Sequence, residues 1–425
     1  MKKPLKLAGI GCGGRTRTYL EIAAKMPWFY QVVAAADPLD ERVEMVRGFS
    51  NNPDFQAFRS DAEILAQPKL SDIMIIGTQD QYHVEPCLAA MEKGYDILLE
   101  KPIAPNPREV LMIEKRASEL GRRVLVCHVL RYTAFYDKVH EIVSSGALGE
   151  VITLHASEGV DPWHQAHSFV RGHWAVTEKA SPMILAKSCH DLDIISWLMD
   201  SPCRLVSSHG SLSHFNAANS PEGAPARCTD GCPVAGACMY DAHHYLGKHR
   251  KWVQYVHENP QAADDEVREW LKHSPWGRCV YHCDNTAVDH QVVAMEFESG
   301  ATATFTMTAF DIGRNIEIMG TRCVLRGGEL LKRQTGHDIL VTDHASGSET
   351  RYQIAKDDGG YDGHGGGDTG LVRALHGEMT HRAAASMRSS IQRSVQSHLM
   401  AFAAEESRLA GATIRLDDFG KKHRA

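Results

Sequence analysis

Short apolar runs and amphipathic stretches of helical period alternate through the first third of the chain. Leu5 to Ile10 is a strand-like run leading into Gly9-Ile10-Gly11-Cys12-Gly13-Gly14, and a helical segment follows from about Arg15 to Lys25, before Pro27. Val32 to Ala36 reads as the next strand and ends at Asp37-Pro38. A Glu-, Arg- and Met-rich helix, a loop around Asn51-Asn52-Pro53 and a helix near Asp61 to Ala66 lead to the strand Ile73 to Ile76, closed by Gly77. Val84 to Lys93 is then a helix, Ile97 to Leu99 a strand ending in Glu100-Lys101-Pro102, Pro107 to Leu120 a helix and Val124 to Val126 another strand. This rhythm predicts a parallel sheet covered by helices.

From about residue 128 the pattern changes. Helices near 134–144 and 185–199 precede or interrupt extended runs at Val151 to Ala156 and Leu205 to Ser213. Later strands read as Val292 to Phe297, Thr302 to Phe310, Asn315 to Met319 and Cys323 to Leu325. Thr302 to Thr308 alternates small or apolar with polar residues, as in a sheet with one covered face. A second, mostly antiparallel α+β domain is therefore expected, dividing the chain into 1–127 and 128–425, with an insertion rich in Pro, His and Cys at about 214–285. A glycine-rich loop at 357–370 ends at a helix starting near Leu371, and Ile391 to Leu409 is amphipathic enough to pack on the body.

Composition narrows the function. The 425 residues, at ~150 per domain, suit two or three domains rather than a lone binding module. Lys plus Arg (46) against Asp plus Glu (53) leaves a net charge of -7 with no long basic patch, which argues against nucleic acid as a partner. The N-terminus lacks an export-length apolar region, and no run approaches the ~18 apolar residues of a membrane span, so a cytoplasmic protein without membrane association is expected.

The strand, turn and helix around Gly9, Gly11 and Gly14 supply the GxGxxG setting in which no side chain blocks a pyrophosphate and a helix N-terminus offers amide donors. Asp37, at the end of the second strand, can accept both ribose hydroxyls, and its charge would repel a 2'-phosphate, so NAD is preferred over NADP.

With Glu100-Lys101-Pro102 and His190-Asp191-Leu192-Asp193 before an apolar helix, these motifs give the chain a close resemblance to the Gfo/Idh/MocA oxidoreductases over almost its whole length. The resemblance implies an N-terminal Rossmann domain and a C-terminal α+β domain built on a large open, mostly antiparallel sheet that supplies most of the substrate pocket. It also implies that Lys101 stands between nicotinamide and substrate, that His190 is the catalytic histidine, and that the protein is a homo-oligomer. Arg15 and Glu100 join the glycines, Asp37 and Lys101 on the cofactor side. A neutral imidazole can take the hydroxyl proton as a carbonyl forms, and an ammonium can stabilise charge on the same oxygen. Asp193, three residues after His190, is placed to orient its ring or simply to start the helix. Many family dehydrogenases carry an aspartate four residues before this histidine; here that position is Ala186, and Lys187 beside it is the candidate to assume part of the polar work.

Trp163, His164, Arg171 and Trp174, in a polar-aromatic stretch before His190, suit stacking and hydrogen bonding with a sugar ring, and His364 or Asp368 in the glycine loop could bind hydroxyls. Arg131-Tyr132 falls at the expected domain junction. Of eleven cysteines, Cys228, Cys232, Cys238, Cys279 and Cys283 are grouped in the insertion. Free thiols are the leading reading in a reducing compartment, with one reversible disulfide or a structural zinc or iron–sulfur centre as the alternatives and no catalytic metal. The leading function is NAD-dependent oxidation or reduction at a secondary hydroxyl of a sugar, polyol or glycoside. Two alternatives stay open: an NAD-dependent glycosidase working by transient oxidation and elimination, and a non-catalytic NAD-binding sensor or scaffold.

Overall fold

A computed structural model describes residues 3–259, 261–355, 363–381 and 383–424. The first sheet holds six parallel strands, β1 (Leu5–Ile10), β2 (Tyr30–Ala36), β3 (Gln56–Phe58), β4 (Ile73–Ile76), β5 (Asp96–Leu99) and β6 (Val124–Val126), in the order β3-β2-β1-β4-β5-β6. Every residue of β4 is buried, which is why these strands read as unbroken apolar runs rather than alternating ones. The strand order reverses between β1 and β4, so the crevice outside their carboxyl ends is where an open α/β sheet binds its ligand. The glycine turn after β1, Gly77-Thr78 after β4 and Glu100-Lys101 after β5 all open onto that edge.

The second sheet has nine strands. They are β7 (Val151–Val160), β8 (Cys203–Ser211), β9 (His290–Phe297), β10 (Thr302–Thr308), β11 (Ile312–Gly320), β12 (Cys323–Gly328), β13 (Ile339–Asp343), β14 (Glu349–Tyr352) and β15 (Ile414–Arg415), in the order β14-β13-β12-β11-β7-β10-β9-β8-β15. Only the central β7–β10 pair is parallel; all the other pairings are antiparallel. The helices Cys189–Met199 and Ile391–Ala410 lie against one face, and β9 and β10 alternate buried with open residues accordingly. The architecture is the expected one, a Rossmann domain followed by a mostly antiparallel open sheet.

The chain end returns to the first sheet. The helix Gly367–His381 packs on the first helix, Gly14–Ala24, and its Leu371, Val372 and Leu375 join the apolar layer formed by Leu7, Tyr19 and Ile75. Ser389 accepts a hydrogen bond from the Val126 amide at 2.8 Å, capping the β6 edge. Between β8 and β9 the insertion forms short 3₁₀ turns and one helix, Asp264–His273, around its own cluster of Tyr245, Val253, Val267, Leu271 and Trp276.

Where the pattern suggested one helix over 185–199 there are two, Met183–Ala186 and Cys189–Met199, with the break at Lys187-Ser188. Four short or edge strands, β3, β13, β14 and β15, add to those the pattern suggested.

Arg131, just after β6, is 1% exposed and grips Asp193 of the helix Cys189–Met199, which is 0% exposed. Its Nε and Nη2 donate to the two carboxylate oxygens at 2.6 and 2.7 Å, and Nη1 donates to the Arg388 carbonyl at 2.6 Å. One guanidinium thus joins the first sheet, the second layer and the returning chain. Asp193→Ala, which strands a buried cation, is expected to cost about 3–5 kcal/mol in urea unfolding. The double variant Arg131→Met/Asp193→Leu, which strands nothing, should recover most of that loss.

Candidate functional site

Backbone geometry shapes the crevice first. Gly11 has φ +78°, and a Cβ there would stand 2.7 Å from the Thr78 amide nitrogen, so only glycine fits. The first helix starts at Gly14, and Arg17 is the first residue to donate back, to Gly13 at 3.2 Å. The Gly14, Arg15 and Thr16 amides therefore remain free for an anion at the helix N-terminus. Asp37 is 3% exposed and accepts from the Cys12 amide at 2.8 Å and the Leu39 amide at 3.0 Å, one on each oxygen. A carboxylate has about four acceptor positions, so two remain for a diol. Arg42 lies 3.7 Å from the same carboxylate. These residues fit a dinucleotide, with the glycine turn at the pyrophosphate and Asp37 at a ribose.

Arg15 is placed differently from the other cofactor candidates. Its Nε donates to Glu100 at 3.1 Å, and Nη1 and Nη2 donate to the two oxygens of Asp368 at 2.9 and 2.5 Å. Glu100 also accepts from the Tyr19 hydroxyl at 2.7 Å and from the Lys101 amide at 2.8 Å. Arg15 and Glu100 are thus fully engaged with protein partners and hold Lys101 in place from behind. Burial pulls the Glu100 carboxyl upward, but Arg15 and Lys101 outweigh it and keep the group ionised.

Lys101, His190 and His364 meet beyond this edge. The Lys101 ammonium donates to the Ala186 carbonyl at 2.9 Å. His190, in the first turn of its helix, lies 5.6 Å from His364 and 5.9 Å from His128, ring centre to ring centre. Neither ring nitrogen of His190 has a hydrogen-bond partner among the described residues. Burial, then Lys101, His364 and His128, hold its pKa well below the usual imidazole range, so the ring is neutral at physiological pH.

Lys187 and Asp193 have other partners. Lys187 is 3.4 Å from Glu158 of β7, and Arg314 of β11 pairs with both Glu158 and Asp191. Arg314 and Glu158 are register partners across the two strands, so the sheet itself sets this cluster. Burial lowers the Lys187 pKa while Glu158 opposes the shift. Asp193 is bound to Arg131, and His128, 3.5 Å away, is the histidine it approaches; it does not orient His190.

The polar-aromatic stretch divides. His164 lies at the site, where burial and then Lys187 hold it well below the usual imidazole range. Trp174 donates to Asp80 at 3.1 Å, bracing the first-sheet loops. Trp163 is buried and stacks on His249 of the insertion at 3.8 Å, and Arg171 donates to the Arg278 and Tyr240 carbonyls, so both fasten the insertion. Cys228, Cys232, Cys238 and Cys279 line a cavity of about 20 Å³ with Arg171, and all eleven cysteines are free thiols. Among the described residues no group of three or more His, Cys, Asp or Glu side chains is arranged to hold a metal, so the structural zinc gains no support. Residues 357–362 of the expected glycine loop lie outside the described residues. His128, Glu158 and Arg314 went unread. His128 was signalled by its position directly after β6, whereas the other two become a pair only through strand register.

Residues 5–128 match the family model described as "Oxidoreductase family, NAD-binding Rossmann fold", and residues 136–326 match the "GFO/IDH/MocA C-terminal domain". YteT of Bacillus subtilis is 23% identical over 72% of each chain, and an inositol 2-dehydrogenase of Streptomyces avermitilis is 27% identical over 64% of this chain and 84% of its own. Among solved structures, an Agrobacterium radiobacter oxidoreductase in complex with NAD+, L-tartaric acid and magnesium has a TM-score of 0.69 at 15% identity, covering 97% of this chain and 99% of its own.

Asp37→Ser removes the two acceptor positions that the Cys12 and Leu39 amides leave open on the carboxylate. Asp37→Ser is expected to weaken NAD binding by about 10- to 100-fold, while NADP binding weakens less or improves, as read by titration of cofactor against protein fluorescence.

Proposed function

The chain belongs to the GFO/IDH/MocA family of NAD-binding oxidoreductases, and we propose that it is a dehydrogenase that interconverts a secondary hydroxyl and a carbonyl on a sugar, polyol or glycoside. The observation that carries this reading is the meeting of Lys101, His190 and His364 beyond the carboxyl edge of the first sheet, at the dinucleotide crevice. The bound nicotinamide supplies the hydride acceptor or donor. The protein supplies the rest: one ammonium and two imidazoles to polarise the reacting oxygen and move its proton, with Lys187 and His164 close by for further hydroxyls.

The surroundings favour a hydroxyl-rich ligand. Glu158 and Asp191 are closed off by Arg314 and Lys187, and Asp193 by Arg131, so the groups left to face a ligand are mainly hydrogen-bond donors. Relatives support the same class: several are inositol 2-dehydrogenases, and a WlbA dehydrogenase of similar fold, with a TM-score of 0.63 at 14% identity, was solved in complex with NADH and UDP-GlcNAcA.

The test is incubation of the purified protein and NAD with myo-inositol, scyllo-inositol, glucose, L-tartrate, a UDP-hexuronate and aryl glycosides, following NADH and products by mass spectrometry. A product two hydrogens lighter, matched one-to-one by NADH, is the expected outcome. Glycosidic cleavage without net NADH would replace it with the transient-oxidation reading, and tight NAD binding with no turnover of any compound would favour the scaffold.

A further inference from the structure

Two histidines face one another in the site, and they are not equivalent. A general base works best when a third group fixes its ring and balances the charge it acquires. His190 has no such group: both nitrogens are buried without a partner, and Asp193 is committed to Arg131. His364 has one. Its Nδ1, buried and likewise without a hydrogen-bond partner among the described residues, lies within ion-pair distance, 3.4 Å, of an oxygen of Asp368, which is 1% exposed and gripped at both oxygens by Arg15. Nδ1 is buried, while 27% of the side chain stays open. The backbone is specialised too: His364 is a non-glycine residue in the left-handed region (φ 54°, ψ 36°), followed by Gly365 and Gly366 at φ 59° and 86°. Strain of this kind persists where surrounding structure fixes it, and here Asp368 and Arg15 do so.

We propose that His364, oriented by Asp368, is the general base for the reacting hydroxyl, and that His190 acts beside Lys101 as a neutral hydrogen-bond donor to the same oxygen. This rests on the dehydrogenase reading. In the oxidation direction the hydroxyl proton passes to Nε2 of His364, the carbinol C–H leaves as hydride to NAD, and the O–H electron pair closes the C=O bond. The new imidazolium is balanced by the Asp368 carboxylate and later loses its proton to solvent. His190 suits the donor role because every charge named around it, Lys101 and Arg314 included, opposes a second proton on its ring. Asp368 is a positioning residue.

Four groups face His364: Arg15 of the first helix, Lys187 at the break between helices, His190, and Asp368 one turn on. Burial, Arg15 and Lys187 lower its pKa, and Asp368 raises it. Rate should therefore fall on the acid side as His364 is protonated. Loss of the carboxylate in Asp368→Asn should move that limb to lower pH while reducing kcat.

The experiment uses the full-length protein with NAD and whichever alcohol of the panel yields NADH. His364→Ala is expected to lower kcat by about 10²- to 10⁴-fold with NAD affinity unchanged, and added imidazole should restore part of the rate. His190→Ala should keep the acid limb. The proposal is overturned if His364→Ala or His364→Gln keeps kcat within about threefold of the parent, or if the acid limb disappears in the His190 variant and survives in the His364 variants. A parent protein that yields no NADH with any alcohol overturns the dehydrogenase reading itself, a result distinct from either.

Discussion

One half-buried guanidinium, that of Arg15, holds three distant parts of the chain in a single arrangement. It opens the first helix, reaches Glu100 after β5, and pairs with Asp368 far along the sequence. Removing three charged groups from water is costly, and it is tolerated because the oxygens are matched by donors: Arg15 to both carboxylates, with Tyr19 and the Lys101 amide adding to Glu100. The direct result is placement. Lys101 is set by its neighbour's carboxylate, and the loop carrying His364 is set by Asp368, so both functional side chains inherit their positions from the same cation.

The same logic of closing charge recurs around the site. Arg131 takes Asp193, and Arg314 with Lys187 takes Glu158 and Asp191. Within that second cluster burial and the nearby Glu158 push Asp191 up against the pull of Arg314, while Arg314 and Lys187 hold Glu158 down. Burial, with nearby positive charge adding to it, leaves His128, His190 and His398 neutral. His398 shows its tautomer through its partners: Nε2 accepts from the Ile103 amide at 3.0 Å, so Nδ1 carries the proton and donates to the Ser394 carbonyl at 2.9 Å. A neutral histidine cluster beside one lysine is the electrostatic outcome, and burial is its main cause.

What the sequence displayed followed from how local each signal is. Gly9 to Gly14, Asp37, Lys101 and His190 sit at strand ends or a helix start, where a turn type or a motif reveals them, and the structure places each at the crevice or the site beside it. Arg15 and Glu100 were legible as neighbours of the crevice but not as each other's partners, because pairing across 85 residues of separation leaves no local pattern. Asp193 shows the limit of helical spacing: three residues from His190 it shares a helical face, yet Arg131 arriving from the first sheet decides its direction. The Arg314–Glu158 contact needed strand register, and the β7–β11 pairing joins segments too far apart for alternation to reveal it.

Aromatic richness misled for a related reason. A tryptophan and several histidines ahead of His190 suggest a sugar platform, but Trp163 stacks on His249, and His164 and His167 meet Trp252 at 5.0 and 4.7 Å, all within the insertion's footing. That footing carries the insertion over to the first helix, where Tyr255 comes within 3.8 Å of the position a Gly14 side chain would occupy. The insertion thus ties the histidine side of the site to the phosphate-binding turn through aromatic packing, at a place where free amides await an anion. Aromatic faces used as interior packing are withdrawn from ligand stacking. On the proposed reading, discrimination among substrates then falls to hydrogen-bonding groups such as Lys101 and His364, and a set of that kind selects the pattern of hydroxyls more than the faces of a ring.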